Sequence, residues 1–301
     1  MLKIGSLCTG YGGLDMAVEA YFKAETIWTC EFDKHASKII EKRINKPNYG
    51  NLKTMDWHQA EPIDILTAGY PCQPFSHAGS RKGVEDERHL WPYIKEIIGI
   101  LRPRFVILEN VRGHFGLGFP EVLADLALVG YDARWRLIRA SDVGAPHRRE
   151  RLFILAYPNS ARSTRTKPSN VSTEQSGNSS CVNDPFTTDT YSYARKKSRR
   201  ADREIPAESV GLRRRTNEGQ AGAKSRFSLK MDEERVPAAL DKGRLNVKFV
   251  EYIMGLPDGW VSDIDISRAH KLKILGNGVV PQQAYRALEL LIATPSDLRL
   301  C

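Results

Sequence analysis

A cysteine flanked by two prolines is the residue of this sequence best suited to covalent chemistry. Cys72 lies between Pro71 and Pro74, directly after the apolar run 63–68. That run predicts a buried parallel strand, and the break after it takes the chain out at the carboxyl edge of the sheet, where ligands of open α/β sheets collect. Because each proline fixes one φ angle, the loop holds the thiol with little further ordering. The pattern predicts a nucleophile, and a small buried cysteine in a rigid turn is the alternative.

Two more chemical groups stand at predicted strand ends. Glu109 ends the apolar run 105–109, where loss of hydration should raise its pKa and let it protonate or hydrogen-bond a ring nitrogen. Arg149 and Arg151 accompany the strand predicted at 151–156, and side-chain alternation sends both guanidinium groups to one side. There they could bind phosphate or carbonyl oxygens and orient a neighbouring acid. The alternatives are an acid that caps the next turn and a solvated basic edge.

A glycine-rich turn, residues 9–13, follows the first predicted strand and precedes a helix. Glycines there let the backbone approach a ligand closely. Glu31 closes the second predicted strand, 21 residues beyond Gly10, where a carboxylate can accept hydrogen bonds from ribose hydroxyls. The sequence has neither a good dinucleotide fingerprint nor the Gly-Lys-Ser/Thr of a phosphate-binding loop. A nucleoside cofactor is therefore predicted, with S-adenosylmethionine ahead of ATP and NAD.

The elements that must position these groups alternate along the first half of the chain. Strands are predicted at 2–7, 27–31, 63–68, 105–109, 132–138 and 151–156. Amphipathic helices are predicted at 14–22 and 91–101, and a final helix after Pro281. Such alternation predicts an α/β fold of parallel βαβ units.

Composition narrows the class of protein. The chain has 301 residues, 41% of them hydrophobic, which is enough for a substantial core. Five cysteines without a CxxC pair predict neither a disulfide framework nor a metal site and fit a reducing cytoplasm. No run reaches the length of a membrane span, so a soluble cytoplasmic protein is expected. The net charge of +9 favours a polyanionic partner.

Composition changes at Pro158, after which Ser, Thr, Asn and Arg predominate. The segment 158–245 has 18 Lys and Arg residues against 11 Asp and Glu residues, so it holds +7 of the net charge. A segment of this composition buries little, and we expect it to be partly disordered or loop-rich. The apolar pattern returns near Leu245. The predicted organisation is therefore 1–157, an inserted segment 158–245, and a C-terminal segment 246–301.

Taken together and in order, these motifs resemble the DNA cytosine-5 methyltransferase family. The matching stretches are the glycine turn 6–15, the Glu31 strand, Asp56, Pro71–Ser76, Leu108–Val111, Arg149–Arg151 and Leu275–Pro281. The resemblance covers about 1–157 and 244–301. It implies a Rossmann-like, S-adenosylmethionine-dependent methyltransferase fold with a smaller inserted target-recognition domain.

The resemblance also implies residue roles. Cys72 would add to C6 of cytosine, with Glu109 at N3 and N4, Arg151 nearby, and Arg149 orienting the acid and the loop. Glu31 would bind the ribose and Asp56 the adenine amino group. The implied cofactor-binding residues are Cys8, Gly10, Tyr11, Gly13, Glu31, Phe32, Asp56, Trp57, Pro71, Asn277 and Val279.

Three positions depart from the family pattern. Ser6 and Cys8 stand where the family usually has an acid and a phenylalanine, so a stacking contact on adenine is lost and cofactor affinity is expected to be lower. His147 stands where the family usually has glutamine, which we expect to matter little because both arginines remain.

The implied partner is duplex DNA, whose target cytosine must be flipped out of the stack to meet the thiol. The expected DNA contacts are Ser76, Arg195, Lys196, Lys197, Arg199, Arg200, Arg213, Arg214 and Arg215. A monomer is expected, and a cognate restriction endonuclease is a candidate partner whose existence the sequence leaves open. One alternative is a related enzyme that methylates transfer RNA. The other is a catalytically silent DNA-binding homologue, which would be expected to have lost Cys72 or Glu109.

Overall fold

The computed structural model describes residues 1–71, 90–159 and 236–292, all within one compact unit. The strands of its main sheet are β1 (Lys3–Leu7), β2 (Glu25–Cys30), β3 (Ile65–Gly69), β4 (Phe105–Val111), β5 (Tyr131–Ile138) and β6 (Arg151–Pro158). The helices are α1 (Gly13–Phe22), α2 (Lys34–Arg43), α3 (Trp91–Leu101), α4 (Arg112–Gly116), α5 (Phe119–Leu128), α6 (Val247–Ile253), α7 (Arg268–Asn277) and α8 (Pro281–Ile292). The predicted strands and the three predicted helices are confirmed, and the strand ends lie within two residues of those predicted.

The sheet has the order β2-β1-β3-β4-β6-β5. Strands β1 to β4 are parallel, as predicted, but β6 pairs antiparallel with both β4 and β5. The prediction of parallel units throughout is therefore wrong for β5 and β6. The residues that join these two strands contain only a 3₁₀ turn, Ala140–Val143, and a parallel pair needs a longer crossover that usually contains a full helix.

Helices cover both faces of the sheet. Successive residues of β4 alternate between the faces: Phe105 and Ile107 pack in one cluster, Val106 and Leu108 in the other. The first cluster includes side chains of α1 and α8, and the second includes side chains of α3 and α5. Because helices cover both faces, successive residues of the inner parallel strands are buried on alternate sides. This explains why the sequence of these strands is continuously apolar.

The C-terminal residues return to the first part of the chain. A third cluster joins Tyr11 and Ile39 to side chains between Met254 and Val280. Leu275, on α7, is fully buried there. The last helix, α8, packs beside α1 under the sheet. Two distant parts of the sequence therefore build one core.

A short hairpin, β7 (Leu240–Asp241) and β8 (Arg244–Leu245), precedes α6. Lys242 and Gly243 between the strands both have positive φ angles, as a two-residue primed turn requires. The expectation of disorder and loops applies mostly to 160–235, which lie outside the described residues. Among the helices described, none is long and apolar enough to cross a membrane.

Candidate active site

The strand order reverses between β1 and β3: from β1 the chain continues to β2 on one side, and from β3 it continues to β4 on the opposite side. Such a reversal leaves a crevice outside the carboxyl ends of the strands. A cavity of about 1180 Å³ opens there. Residues from the segments 6–15, 30–33, 50–53, 69–71, 109–111 and 273–279 line it, together with Arg151.

The glycine turn and Glu31 meet at this cavity. Gly10 and Gly12 have φ angles of 60° and 83°, which favour glycine, and α1 begins at Gly13. The Glu31 carboxylate accepts the amide N–H of Gly10 (2.9 Å) and that of Asp33 (2.8 Å). Burial raises the pKa of Glu31, and these backbone hydrogen bonds lower it. The turn is thus tied to the carboxylate predicted for the ribose.

Most of the implied cofactor-binding residues lie together on the cavity wall: Cys8, Gly10, Tyr11, Gly13, Glu31, Phe32, Pro71, Asn277 and Val279. Asp56 and Trp57 do not line it, so the structure does not bring them to the cavity as the resemblance implied. Asp56 is exposed and accepts the N–H of His58 (3.1 Å), which caps a 3₁₀ turn. Trp57 is buried in the core, where its indole N–H bonds Leu52.

Asn51 and Leu52 occupy the cavity wall instead. A parallel bridge between Thr29 and Asn48 brings this segment alongside the end of β2, and Gly50 turns the chain with φ 72°. One feature of the sequence could have indicated this segment: Gly50, a turn-forming residue, is followed by a polar and an apolar residue. Asp56 drew the assignment because an acidic side chain is the better acceptor for an amino group.

The C-terminal residues close the cavity over the glycine turn. The Tyr11 hydroxyl donates to the carbonyl oxygen of Val279 (2.7 Å), and the indole N–H of Trp260 donates to the carbonyl oxygen of Tyr11 (2.9 Å). A Cβ on Gly278 would overlap the Tyr11 ring, so the close approach requires glycine there. Tyr11 is fully buried by this packing.

Glu109 and Arg151 form an ion pair on the cavity wall. Arg151 Nε lies 3.0 Å from Glu109 Oε1, and the Glu109 side chain is 7% exposed. Antiparallel pairing of β4 with β6 brings the two residues together. Burial raises the pKa of Glu109 to about 7, against the lowering effect of Arg151 and Arg149. The predicted rise in the pKa of this acid is therefore confirmed.

Arg149 lies elsewhere than alternation predicted. It precedes β6 and has φ 25°, so it does not share a strand face with Arg151. Its guanidinium donates to the carbonyl oxygens of Gly276 (2.8 Å) and Gly278 (2.5 Å). Arg149 therefore fastens the turn between α7 and α8, and it acts on Glu109 through its charge.

The chain that leaves β3 toward Cys72 is held by two buried side chains. Asn110, next to Glu109, donates its amide to the carbonyl oxygen of Tyr70 (3.2 Å), and the Tyr70 hydroxyl lies 3.0 Å from Nε2 of His114. These contacts fix the residue before Pro71. Cys72, Ser76 and the basic positions 195–200 and 213–215 lie outside the described residues.

Comparison with known proteins identifies the family to which the chain belongs. A family model described as C-5 cytosine-specific DNA methylase matches residues 2–292. The chain belongs to this family. The match runs from β1 to the end of α8, so it includes the glycine turn, Glu109 and the segment that closes the cavity.

Curated relatives match the chain over part of its length. The type II methyltransferase M.NgoBI of Neisseria gonorrhoeae is 34% identical over 162 residues, 52% of this chain and 51% of the relative. M.Bsp6I of Bacillus sp. is also 34% identical, over 53% of each chain. The matched segment spans about half the length of these relatives.

Solved structures resemble it over almost the whole chain. The Entamoeba histolytica methyltransferase EhMeth gives a TM-score of 0.61 at 18% identity, covering 97% of this chain and 98% of the other. A putative DNA modification methyltransferase encoded within an Escherichia coli prophage gives 0.59 at 18% identity, covering 99% and 100%. At these identities the likeness shows the fold.

The positions at which the chain departs from the family pattern have local contacts of their own. The acid missing at Ser6 is supplied from α1, since the Asp15 carboxylate lies 2.9 Å from Ser6 Oγ. Phe32 lines the cavity and is 78% exposed. The cavity therefore has an aromatic ring on its wall although Cys8 stands where the family usually has phenylalanine. His147 bonds the carbonyl oxygen of Ile253 (2.9 Å) through Nε2.

Replacing Gly278 by alanine should destabilise the protein by about 1–3 kcal/mol, because the new methyl group overlaps the Tyr11 ring. Gly276 is the matched control. It lies in α7, a Cβ there meets nothing within 4 Å, and alanine should add about 0.5–1 kcal/mol of helix stability. Denaturant unfolding of both variants measures the difference. Equal stabilities would contradict the packing described.

Proposed function

We propose that the chain transfers a methyl group from S-adenosylmethionine to C5 of cytosine in DNA. The observation that carries the proposal is the buried Glu109–Arg151 pair, which shares one cavity with the glycine turn and Glu31. An acid of raised pKa suits a pyrimidine ring nitrogen, and a carboxylate bound to a glycine turn suits a ribose. Family membership supports both assignments.

The residues present fit the cofactor. Glu31 has acceptor capacity left for ribose hydroxyls, because each carboxylate oxygen accepts one hydrogen bond in the structure. A Cβ on Gly10 would meet nothing within 4 Å, so the backbone is open to a ligand. The exposed ring of Phe32 can stack on adenine, with Asn51 and Leu52 nearby on the wall. When bound, S-adenosylmethionine supplies an electrophilic methyl group.

The chain's own residues activate the pyrimidine. The thiolate of Cys72 adds to C6, which makes C5 nucleophilic. Negative charge develops on the ring as sulfur adds, and Glu109 in its protonated form donates to N3 while Arg151 offsets the charge. Cys72 leaves once a base has removed the C5 proton. Asn110 and His114 hold Tyr70, and so fix where the Cys72 loop begins.

Duplex DNA is the proposed substrate, and the segment 158–245, which carries most of the positive charge, is the proposed recognition domain. Flipping the target base costs a few kcal/mol, which contacts to phosphates must offset. The relatives' description as type II methyltransferases supports a role in restriction-modification beside an endonuclease of the same specificity. We further propose that the protein acts as a monomer in the cytoplasm.

The experiment that tests this function measures methyl transfer to duplex DNA and to transfer RNA in parallel. Bisulfite sequencing of DNA from cells that express the chain then identifies the modified cytosines. Methylation of DNA at C5 within a fixed sequence is the expected result. Methyl transfer to RNA alone would mean that the substrate is RNA and not DNA. Methyl transfer to neither nucleic acid would overturn the proposal.

Replacing Glu31 by alanine should weaken S-adenosylmethionine binding by about 1.5–3 kcal/mol, since hydrogen bonds to a charged acceptor are lost. Asp56→Ala is the matched control. It removes an exposed carboxylate that lies off the cavity wall, so affinity should stay within about twofold of wild type. Titration calorimetry gives both values. A Glu31 variant of unchanged affinity would contradict the ribose assignment.

Grafting the recognition segment of another family member between Tyr157 and Leu245 should move methylation to a new DNA sequence. Neutralising the basic run 195–200 or 213–215 should instead weaken binding to all sequences alike and reduce its dependence on salt, because phosphate contacts carry no base information. Bisulfite sequencing and salt titrations measure the two effects. A folded, active chimera that still modified the original sequence would refute the assignment.

A further inference from the structure

Asp15 is a buried carboxylate that the proposed mechanism does not use. It lies in the first turn of α1, is 3% exposed and lines the cavity. Ser6 on β1 donates its hydroxyl to Oδ2 (2.9 Å), and Thr67 on β3 donates to Oδ1 (2.5 Å). Asp15 is therefore bound to two neighbouring strands at the point where the direction of the chain reverses.

The hydrogen bonds around Asp15 suit its ionised form. Ser6 and Thr67 each place a hydroxyl within donating distance of the carboxylate, while Thr9 lies 2.9 Å from Ser6 Oγ and 3.3 Å from the Ser6 carbonyl oxygen. Thr67 Oγ1 also lies 3.4 Å from the carbonyl oxygen of Gly5. An ionised carboxylate can only accept such bonds. Burial raises the pKa of Asp15 to about 6, and the bonds from Thr67 and Ser6 lower it. The bonds from Ser6 and Thr67 therefore offset part of the effect that burial has on the pKa of Asp15.

Strand order locates this charge within the proposed site. Glu31 follows β2 and Glu109 lies on β4, and the two strands between them are β1 and β3. If the ribose binds at Glu31 and the pyrimidine at Glu109, the transferred methyl group and its sulfur would lie between them, on the part of the cavity wall that includes Asp15 and Thr67. Asp15 is the carboxylate bonded to both strands.

The other charged groups around Asp15 are few among the described residues. Glu19, one turn along α1, raises the pKa of Asp15 by its charge. The strands β1 and β3 present hydroxyl groups to it. On α8, which packs against α1, Arg286 and Glu289 pair with each other (3.0 Å). Arg151, across the cavity, is paired with Glu109.

We propose that Asp15 recognises the positive charge of the sulfonium and so favours the methyl donor over its neutral, demethylated product. The inference rests on the proposed function, since it assumes that S-adenosylmethionine binds in this cavity. The two ligands share the adenosine and the amino-acid ends, and the charge on sulfur is what Asp15 distinguishes. Loss of that charge after transfer weakens the hold on the product and favours its release.

The test measures the affinities of the purified full chain for S-adenosylmethionine and S-adenosylhomocysteine by calorimetry. At about pH 8, Asp15→Asn should reduce the preference for the charged ligand by about tenfold while product affinity stays within about twofold. Glu19→Gln is the matched control, because it removes the neighbouring charge and keeps an oxygen that accepts the N–H of Thr26. An unchanged preference in Asp15→Asn would overturn the proposal.

The pH dependence of the preference gives a second readout. It should fall in the wild type as pH drops from about 8 to 5 and Asp15 is protonated, and it should stay flat in Asp15→Asn. Glu109→Gln removes a second acid of raised pKa from the cavity wall and should leave the fall in place. Thr67→Val loses a donor to the ionised form, so the fall should begin at higher pH.

The outcomes separate the inference from the function beneath it. If the wild type binds neither ligand, the proposed function fails. If it binds both and the Asp15→Asn variant keeps the full pH dependence, only the role of Asp15 fails. A charged analogue with an ammonium-bearing carbon in place of sulfur should lose affinity in Asp15→Asn as S-adenosylmethionine does, and its failure to do so would also overturn the inference.

Discussion

Replacing Cys72 by serine should abolish methyl transfer while S-adenosylmethionine affinity stays within about twofold of wild type. A serine hydroxyl remains protonated at neutral pH and is a far poorer nucleophile for C6 than a thiolate. We expect turnover to fall by about 10³-fold or more, equivalent to roughly 4 kcal/mol of lost transition-state stabilisation. Transfer of labelled methyl groups to DNA measures turnover, and calorimetry measures binding.

The control for this substitution is Cys301→Ser, which removes a thiol remote in sequence from every proposed site residue. It should transfer methyl groups at the wild-type rate. Near-normal turnover by the Cys72 variant would exclude covalent addition of this thiol. Loss of cofactor binding would instead mean that Cys72 is needed for the structure of the cavity. That result would favour the alternative, a small buried cysteine in a rigid turn.

Replacing Glu109 by glutamine should slow methyl transfer by roughly 10²-fold. With its pKa raised to about 7, Glu109 is protonated below that pH and can donate to N3, whereas above it the carboxylate cannot. Wild-type kcat should therefore fall as pH rises through about 7. That alkaline fall should be absent in the Glu109→Gln variant, whose amide does not titrate. Kinetics between about pH 6 and 9 show both effects.

Arg151→Met tests the cause of the Glu109 pKa. Burial raises this pKa and Arg151 is the largest influence that lowers it, so removing the guanidinium should move the alkaline fall of kcat to higher pH. The same variant should turn over slowly at every pH, because Arg151 also offsets charge on the ring. A loss confined to KM in either variant would make the residue a binding group.

Much of the fold could be predicted because apolar runs and turn signals agree in the first 157 residues. Residues 65–68 and 105–109 are buried on both sides, and buried parallel strands have this pattern. The direction of β5 and β6 could not be read from periodicity, since a strand has the same pattern in either direction. The length and helix content of the connection between them were the better guide.

The site was predictable where a functional residue ends a strand. Glu31, directly after β2, and Glu109, two residues before the end of β4, lie at or close to strand ends, and both line the cavity. Asp56 does not, because it follows an irregular segment whose path depends on Gly50 and on a bridge to β2. The predicted position of the Arg149 side chain was wrong for a related reason. Side chains alternate only inside a strand, and Arg149, with a φ angle of 25°, precedes β6. Sequence periodicity cannot locate residues in irregular backbone.

The hydrogen bond from Tyr11 to Val279 spans 268 positions of the sequence. During synthesis on the ribosome, the glycine turn, Glu31 and Glu109 all emerge long before Val279 does. A nascent chain that ends short of α7 lacks the wall formed by 273–279 and the carbonyl groups that hold Arg149. The cavity is therefore complete only after residues 273–279 have been synthesised, so nascent chains that end before them should not hold a ligand there.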